Sequence, residues 1–157
     1  MKDLKAIYNE CLSNLNSIGI YPNEVSEIIV NKRAKGFWGK QTRENGKYVI
    51  QISERLLADN VPDEYTKQTM YHELLHCVDG GNGHKGKWKV LAQKCNRELG
   101  TNITRTSEYE GIEIEYKYEF RCTQCGMIIK RMKRSNFVNN PRDYRCAECG
   151  GRFERIK

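Results

Sequence analysis

The stretch "YHELLHCVDGGNGH", residues 71–84, contains all three histidines of this 157-residue chain. His72 and His76 are four residues apart, so on a helix their imidazoles lie on the same face, one turn from each other, and can bind one metal ion. Glu73 can sit beside that ion without binding it, which is the H-E-x-x-H arrangement of zinc hydrolases. The stretch therefore predicts a helix that carries a catalytic zinc.

A catalytic zinc usually has three protein ligands and keeps its fourth position for water. The glycine-rich run at residues 80–83 allows the chain to reverse after the helix, because glycine adopts positive φ angles without a steric penalty, and His84 follows directly. His84 is therefore the predicted third ligand. Asp79, three residues beyond His76, and Glu98, on the next predicted helix, are the alternatives. The simplest competing explanation is three neighbouring histidines that bind no metal.

The predicted site suits hydrolysis. Zinc lowers the pKa of a bound water to roughly 7 and polarises a carbonyl group. Glu73 is placed to accept the proton of that water and to deliver it to a leaving amine, which is general acid–base catalysis. The motif thus predicts a zinc metallopeptidase in which Glu73 is the catalytic residue.

Three segments have the spacing of helices. Residues 4–18 place apolar side chains at helical intervals and are followed by Gly19. A second helix is predicted from Pro62 to about residue 79, before the glycine run. A third is predicted over residues 85–99, with Gly100 as its C-terminal stop.

The strand signals lie between these helices and after them. "SEIIVNKRAKGFWGKQT" (26–42) and "GKYVIQIS" (46–53) are rich in β-branched and aromatic residues and predict two or three antiparallel strands. "SERLLADN" (53–60) predicts a short helix capped by Ser53. "GIEIEYKYEF" (111–120) alternates apolar and polar residues, as an exposed strand does. The expected fold is α+β, with helices packed on a small antiparallel sheet.

The seven cysteines fall into two groups. Three lie in predicted helices and are expected to be small buried hydrophobic residues: Cys11, Cys77 and Cys95. The other four form two C-x-x-C pairs, each followed by glycine, which predicts a zinc ribbon with a structural zinc in a closed tetrahedral shell. These four are Cys122, Cys125, Cys146 and Cys149. Disulfide pairs or redox chemistry are the alternatives.

The positive charge of the chain is concentrated near its C-terminus. Residues 121–157 hold ten basic and three acidic residues, whereas residues 1–120 hold 17 of each. The basic residues alternate with Met127, Met132, Phe137 and Tyr144. Cations interleaved with aromatic rings suit phosphate contacts and base stacking, so the segment is predicted to bind nucleic acid. The alternative is a solvated basic surface that binds no particular partner.

This change in composition predicts a division into residues 1–110 and residues 111–157. No stretch approaches the roughly 20 apolar residues of a membrane span. The N-terminus lacks the apolar core of a signal peptide. We therefore expect a cytoplasmic protein without a membrane partner.

Taken together, "NKRAKGFWG", "YVIQIS", "HELLH", "GHKGKWK" and the two cysteine pairs resemble the SprT-like family of zinc metalloproteases, which includes the Spartan DNA–protein crosslink proteases. The resemblance implies a minimal zincin-like domain over residues 1–110 and a basic four-cysteine zinc ribbon over residues 111–157. It also implies that the three histidines bind zinc, that Glu73 is the catalytic acid/base, and that Trp88 packs under the site.

The predicted function is that of a zinc-dependent endopeptidase with one catalytic and one structural zinc. Its expected substrates are DNA-bound or DNA-crosslinked proteins, and the 121–157 segment is expected to contact DNA. Two other functions compete with this prediction. One is a non-proteolytic nucleic-acid-binding accessory factor with a metal-stabilised core, which would have no need of Glu73. The other is a zinc hydrolase of an unrelated peptide.

Overall fold

The computed structural model describes residues 1–112 and 116–157. Within it the chain forms two compact units, Met1–Glu113 and Ile114–Lys157. The architecture is α+β, with helices and two small three-stranded sheets. In the described parts of the chain, no helix is long and apolar enough to cross a membrane.

Three helices belong to the first unit: α1 (Leu4–Ser17), α2 (Asp63–His76) and α3 (Lys87–Leu99). All three predicted helices are confirmed, with shifted ends. The Asp3 side chain caps α1 by accepting the backbone N–H groups of Lys5 and Ala6 at 2.9 and 3.0 Å. The end of α2 at His76 comes earlier than expected, because the chain turns at Cys77 to enter the glycine run.

The first sheet consists of β1 (Val25–Asn31), β2 (Gly39–Glu44) and β3 (Lys47–Ser53), in the order β1-β3-β2. A tight turn with positive φ at Asn45 (49°) and Gly46 (79°) joins β2 and β3 as an antiparallel hairpin.

The prediction of a purely antiparallel sheet is wrong, because β1 pairs with β3 in parallel. The reason lies in burial. Strand β3 contains Val49, Ile50 and Ile52, each at most 4% exposed, whereas both edge strands are more exposed. Placing the most apolar strand in the centre separates β1 from β2, although those two strands follow one another in the chain.

The core of the first unit lies between the sheet and the helices. It is formed by side chains that are wholly buried, including Leu56, Leu57, Met70, Leu74 and Leu75. The prediction that three scattered cysteines are buried is confirmed for Cys11, Cys77 and Cys95, which are free thiols.

The short helix predicted after Ser53 is a 3₁₀ turn, Glu54–Leu57. It has no side-chain cap, so the predicted Ser53 cap is wrong; the Ser53 hydroxyl donates to the Ala34 carbonyl at 3.4 Å.

The second unit contains an antiparallel sheet of β4 (Tyr118–Cys122), β5 (Ile128–Arg131) and β6 (Phe153–Arg155), in the order β5-β4-β6. A single helical turn, α4 (Asn136–Asn139), follows β5. The strand predicted over residues 111–120 is found from Tyr118, and its part at residues 113–115 lies outside the described residues. The unit has a core of its own, formed by Phe120, Cys122, Val138, Cys146 and Phe153.

Candidate metal centres

The three histidines converge on one point. Helix α2 carries His72 and His76 on one face, and the loop before α3 brings His84 to them. The Nε2 atom of His84 lies 2.9 Å from that of His72 and 3.2 Å from that of His76. Nitrogen ligands about 2.05 Å from a zinc ion are separated by roughly 3.3 Å in a tetrahedral site. The spacing of these nitrogen atoms is therefore compatible with a zinc ion.

Backbone carbonyl groups orient two of the rings. The His72 Nδ1 atom lies 3.0 Å from the Thr104 carbonyl oxygen, and the His76 Nδ1 atom lies 2.8 Å from that of Gly81. Each Nδ1–H donates to its carbonyl, so the Nε2 lone pairs face His84. Carbonyl partners of this kind are the usual outer support of metal-binding histidines.

Burial keeps the rings neutral. It lowers the pKa of His72 to about 4, with further lowering from the neighbouring His76 and His84. Burial also lowers the pKa values of His76 and His84. Neutral imidazole is the form that binds a metal ion, so the cluster is in its ligand state at neutral pH.

The loop that delivers His84 depends on a close approach at Gly81. A Cβ atom on Gly81 would lie 2.2 Å from the Leu75 carbonyl oxygen and 2.9 Å from that of Val78, which no side chain could tolerate. The Gly81 N–H donates to the Val78 carbonyl at 2.8 Å. The turn therefore packs directly onto the end of α2, where its carbonyl reaches His76.

The two alternative ligands lie elsewhere. The Asp79 carboxylate is exposed and accepts the Asn23 side-chain amide at 2.7 Å. Glu98 pairs with Arg97 at 3.3 Å. Within the described residues, the group that could hold a metal here consists of the three histidines alone.

Trp88, the second residue of α3, lies under all three imidazoles. Its ring centroid is 4.7 Å from those of His72 and His84 and 5.5 Å from that of His76. The indole is 2% exposed and its Nε1 donates to the His72 carbonyl at 3.4 Å. Trp88 thus holds the three rings together from below, as the resemblance implied.

Glu73 is buried on the side of α2 that faces β2. It is 6% exposed, and its carboxylate accepts the backbone N–H of Gln41. Burial raises the pKa of Glu73 to about 8, although the Gln41 hydrogen bond opposes the shift. A Cβ atom on Gly39 would lie 2.8 Å from the Glu73 Oε1 and 2.6 Å from Thr69 Cγ2. Glycine at this position therefore allows β2 to approach the carboxylate.

The four cysteines of the second unit form one cluster. Cys122 Sγ lies 3.5 Å from Cys149 Sγ, and Cys125 Sγ lies 3.6 Å from Cys146 Sγ. All four sulfur atoms lie within 4.8 Å of one another. These distances far exceed a disulfide bond of about 2.05 Å and approach the roughly 3.8 Å between thiolates on a tetrahedral zinc. The cluster is therefore compatible with zinc.

Each C-x-x-C pair is closed by the same backbone bond. The Gly126 N–H donates to the Cys122 carbonyl at 3.0 Å, and the Gly150 N–H donates to the Cys146 carbonyl at 2.8 Å. Both glycines have positive φ angles, 78° and 73°. The repeated Cys-x-x-Cys-Gly sequence thus produces two equivalent turns, as in a zinc ribbon.

Comparison with known protein families matches residues 7–107 to the SprT-like family. This chain belongs to the SprT-like family. It is 24% identical over 136 residues to "Protein SprT-like" of Oceanobacillus iheyensis, a match that covers 84% of this chain and 83% of that protein. It is also 29% identical over 109 residues to "Germ cell nuclear acidic protein" of Drosophila melanogaster. That match covers 66% of this chain but spans 10% of the fly protein.

Membership of the SprT-like family indicates a metalloprotease-like domain, and the matched residues include the histidine cluster. Sequence reasoning located both clusters but missed the parts that orient the first one. Gly39, the Gln41 N–H and the Thr104 carbonyl are remote in sequence from α2. The only available signal was a glycine in a strand-forming segment, which often marks a close approach of backbone.

Proposed function

We propose that this SprT-like protein is a zinc-dependent endopeptidase with a zincin-like metal-binding unit. In this proposal His72, His76 and His84 hold the catalytic zinc, and Glu73 is the catalytic acid/base. The observation that carries it is the convergence of three Nε2 atoms on one point, with a buried carboxylate on the same helix. A scaffold that only bound metal would need no such carboxylate.

Zinc at the three histidines would supply Lewis acidity, which lowers the pKa of a water to roughly 7 and polarises a substrate carbonyl. Glu73 accepts the proton of the attacking water and transfers it to the leaving amine. A carboxylate that is ionised before the attack can take the proton of the water and then act as the acid for the leaving amine. The Gln41 N–H holds one side of the carboxylate, so its direction is set before the substrate arrives.

The four-cysteine cluster is proposed to hold the structural zinc. Four thiolates complete a tetrahedral shell and leave no position for a substrate. The apolar core of the second unit is small, and metal binding would supply the free energy of folding that such a core lacks.

The proposed substrates are DNA-bound or DNA-crosslinked proteins, and the second unit is proposed to contact the DNA. All ten basic residues of the 121–157 segment are exposed. Some of them lie over aromatic rings: Lys130 over Tyr116 at 5.5 Å and Arg155 over Tyr118 at 5.0 Å. Tyr144 is 41% exposed, so its ring is open to a stacked base. Exposed cations beside aromatic rings suit a single strand.

Replacement Glu73→Gln tests the mechanism, because it keeps the shape of the side chain and removes its basicity. We expect two zinc ions per chain by elemental analysis in both wild type and variant. Cleavage of an unfolded protein substrate should fall by at least about 100-fold in the variant. Equal cleavage by both proteins would reject the role of Glu73, and no cleavage by wild type would favour the accessory factor.

Single-stranded DNA added to the wild-type reaction tests the substrate class. If the substrate is DNA-bound protein, DNA should accelerate cleavage of a DNA-binding protein more than cleavage of a protein without affinity for DNA. Equal rates with and without DNA would instead favour a hydrolase of an unrelated peptide.

A further inference from the structure

The neutral balance of residues 1–120 conceals a second basic segment. Residues 84–105 hold six basic residues and one acidic residue, Glu98. The six are Lys85, Lys87, Lys89, Lys94, Arg97 and Arg105. The neighbouring residues 106–120, with five acidic and one basic residue, offset this charge in the total. The excess therefore belongs to α3 and the loops on either side of it.

Helix α3 separates this charge from the core. Its buried side chains are Trp88, Ala92 and Cys95. Three basic residues, Lys87, Lys94 and Arg97, follow one another at intervals of seven and three residues, so they line the opposite face. Val90, which is 63% exposed, lies between them. We call the three basic residues the α3 basic stripe.

Intramolecular contacts do not explain the stripe. Within the described residues, neither Lys87 nor Lys94 has an ion-pair partner, and Arg97 pairs only with its exposed neighbour Glu98 at 3.3 Å. The first turn of α3 contains no acidic residue. Lys94 and Arg97, three residues apart on one helix face, repel each other, so this pair costs stability in the free protein. An external polyanion would relieve this repulsion.

The stripe lies close to the histidine cluster. Trp88 contacts all three imidazoles, and Lys87 precedes it in the first turn of α3, about 100° further around a helix that is about 10 Å across. The Lys87 stem also leans over the glycine run, since its Cδ atom is 3.3 Å from the place of a Cβ on Gly80. A polyanion along α3 would therefore pass within about one helix diameter of the site.

We propose that the α3 basic stripe binds the phosphate backbone of nucleic acid, so that the metal-binding unit itself contacts DNA beside the site. The partner is a nucleic acid rather than an anionic membrane, because a helix lying in a membrane surface needs an exposed apolar face. The apolar face of α3 is buried in the core. This inference rests on the nucleic-acid part of the proposed function and does not depend on proteolysis.

The salt dependence of DNA binding tests the stripe in the full chain. The variant is Lys87→Gln/Lys94→Gln/Arg97→Gln, and the probe is a labelled single-stranded oligonucleotide of mixed sequence. Each phosphate contact contributes about 0.7 to the slope of log K against log salt for single strands. We therefore expect the slope to fall by about 2 in the variant.

The matched control is Lys5→Gln/Lys32→Gln/Lys47→Gln, which removes the same charge from exposed positions outside α3. Its slope should change by less than about 1, since only general attraction is lost. Equal slopes in the two variants would overturn the proposal that the α3 basic stripe binds DNA. The proposal would also be overturned if the wild-type protein bound vesicles containing phosphatidylserine but did not bind the oligonucleotide.

The arms of this experiment separate the two proposals. Binding is read without cleavage, so a chain that binds DNA through the stripe but cleaves nothing would support the stripe and refute the endopeptidase. If instead the wild-type chain cleaves protein and the stripe variant binds DNA with an unchanged slope, the endopeptidase proposal is supported and the stripe proposal is refuted. Unchanged thermal midpoints and two zinc ions per chain in both variants would exclude misfolding as the cause.

Discussion

Replacement of Gly39 by alanine should impair catalysis without removing metal. The φ angle of Gly39 is not positive, so alanine fits the backbone and the effect is one of contact alone. The new methyl group would lie 2.6–2.8 Å from atoms of Thr69 and Glu73, whereas ordinary carbon contacts are about 3.5–4 Å. Strand β2 and helix α2 must therefore separate, or Glu73 must turn, by about 1 Å.

A displacement of about 1 Å at a catalytic group can cost about 100-fold in rate. We expect kcat/KM for an unfolded protein substrate to fall by about that factor in Gly39→Ala. The overpacked contact should also lower the free energy of unfolding by about 1–3 kcal/mol. Zinc content should stay at two ions per chain, because none of the atoms nearest to the new methyl group belongs to a histidine or cysteine ligand.

The control for lost stability is Gly46→Ala. Gly46 has a φ of 79° and no atom within 4 Å of the position that an alanine methyl group would take, so the substitution costs about 1–2 kcal/mol through backbone strain alone. It lies at the hairpin turn and should leave kcat/KM near the wild-type value. Equal kcat/KM in Gly39→Ala and Gly46→Ala would refute the argument that the close approach at Gly39 positions Glu73.

Two further predictions concern the cysteines. Cys149→Ala should reduce zinc from two ions to one per chain by elemental analysis and expose the second unit to proteolysis, because its metal shell is broken; Cys95→Ala should retain both ions. Burial raises the pKa of the Cys11 thiol from 9.0 to about 12, so as pH rises the unfolded chain loses the thiol proton at a lower pH than the folded chain does. Stability should therefore fall as pH rises from 9 towards 12, by up to about 1.4 kcal/mol per pH unit, and urea unfolding should show a smaller dependence on pH in Cys11→Ala. If wild type and Cys11→Ala showed the same pH dependence of the free energy of unfolding, the Cys11 thiol would not contribute to it.

The helices were predictable because their signals are local. Apolar residues at helical spacing and the glycines that follow α1 and α3 define their extent within two residues at most ends. The end of α2 was not predictable in this way. It depends on the approach of Gly81 to the Leu75 carbonyl, which is a contact between the helix and the turn that follows it.

The pairing of the first sheet could not be predicted from its strands alone. Each strand was recognisable from its residues, and the hairpin of β2 and β3 follows from the Asn45–Gly46 turn. The parallel pairing of β1 with β3 depends on which strand is buried most deeply in the finished core. That choice involves helices that are distant in the sequence.

The two candidate metal sites also combine features that the sequence determines with features that only the folded chain determines. Four-residue spacing on a helix and the Cys-x-x-Cys-Gly turn are short-range geometries, so the sequence by itself determined which side chains could share an ion. Only the tertiary structure decided that β2 lies against Glu73 and that the Thr104 carbonyl orients His72. Those contacts join segments separated by many residues, and it is the packing of the whole core, rather than any local preference of the chain, that brings them together.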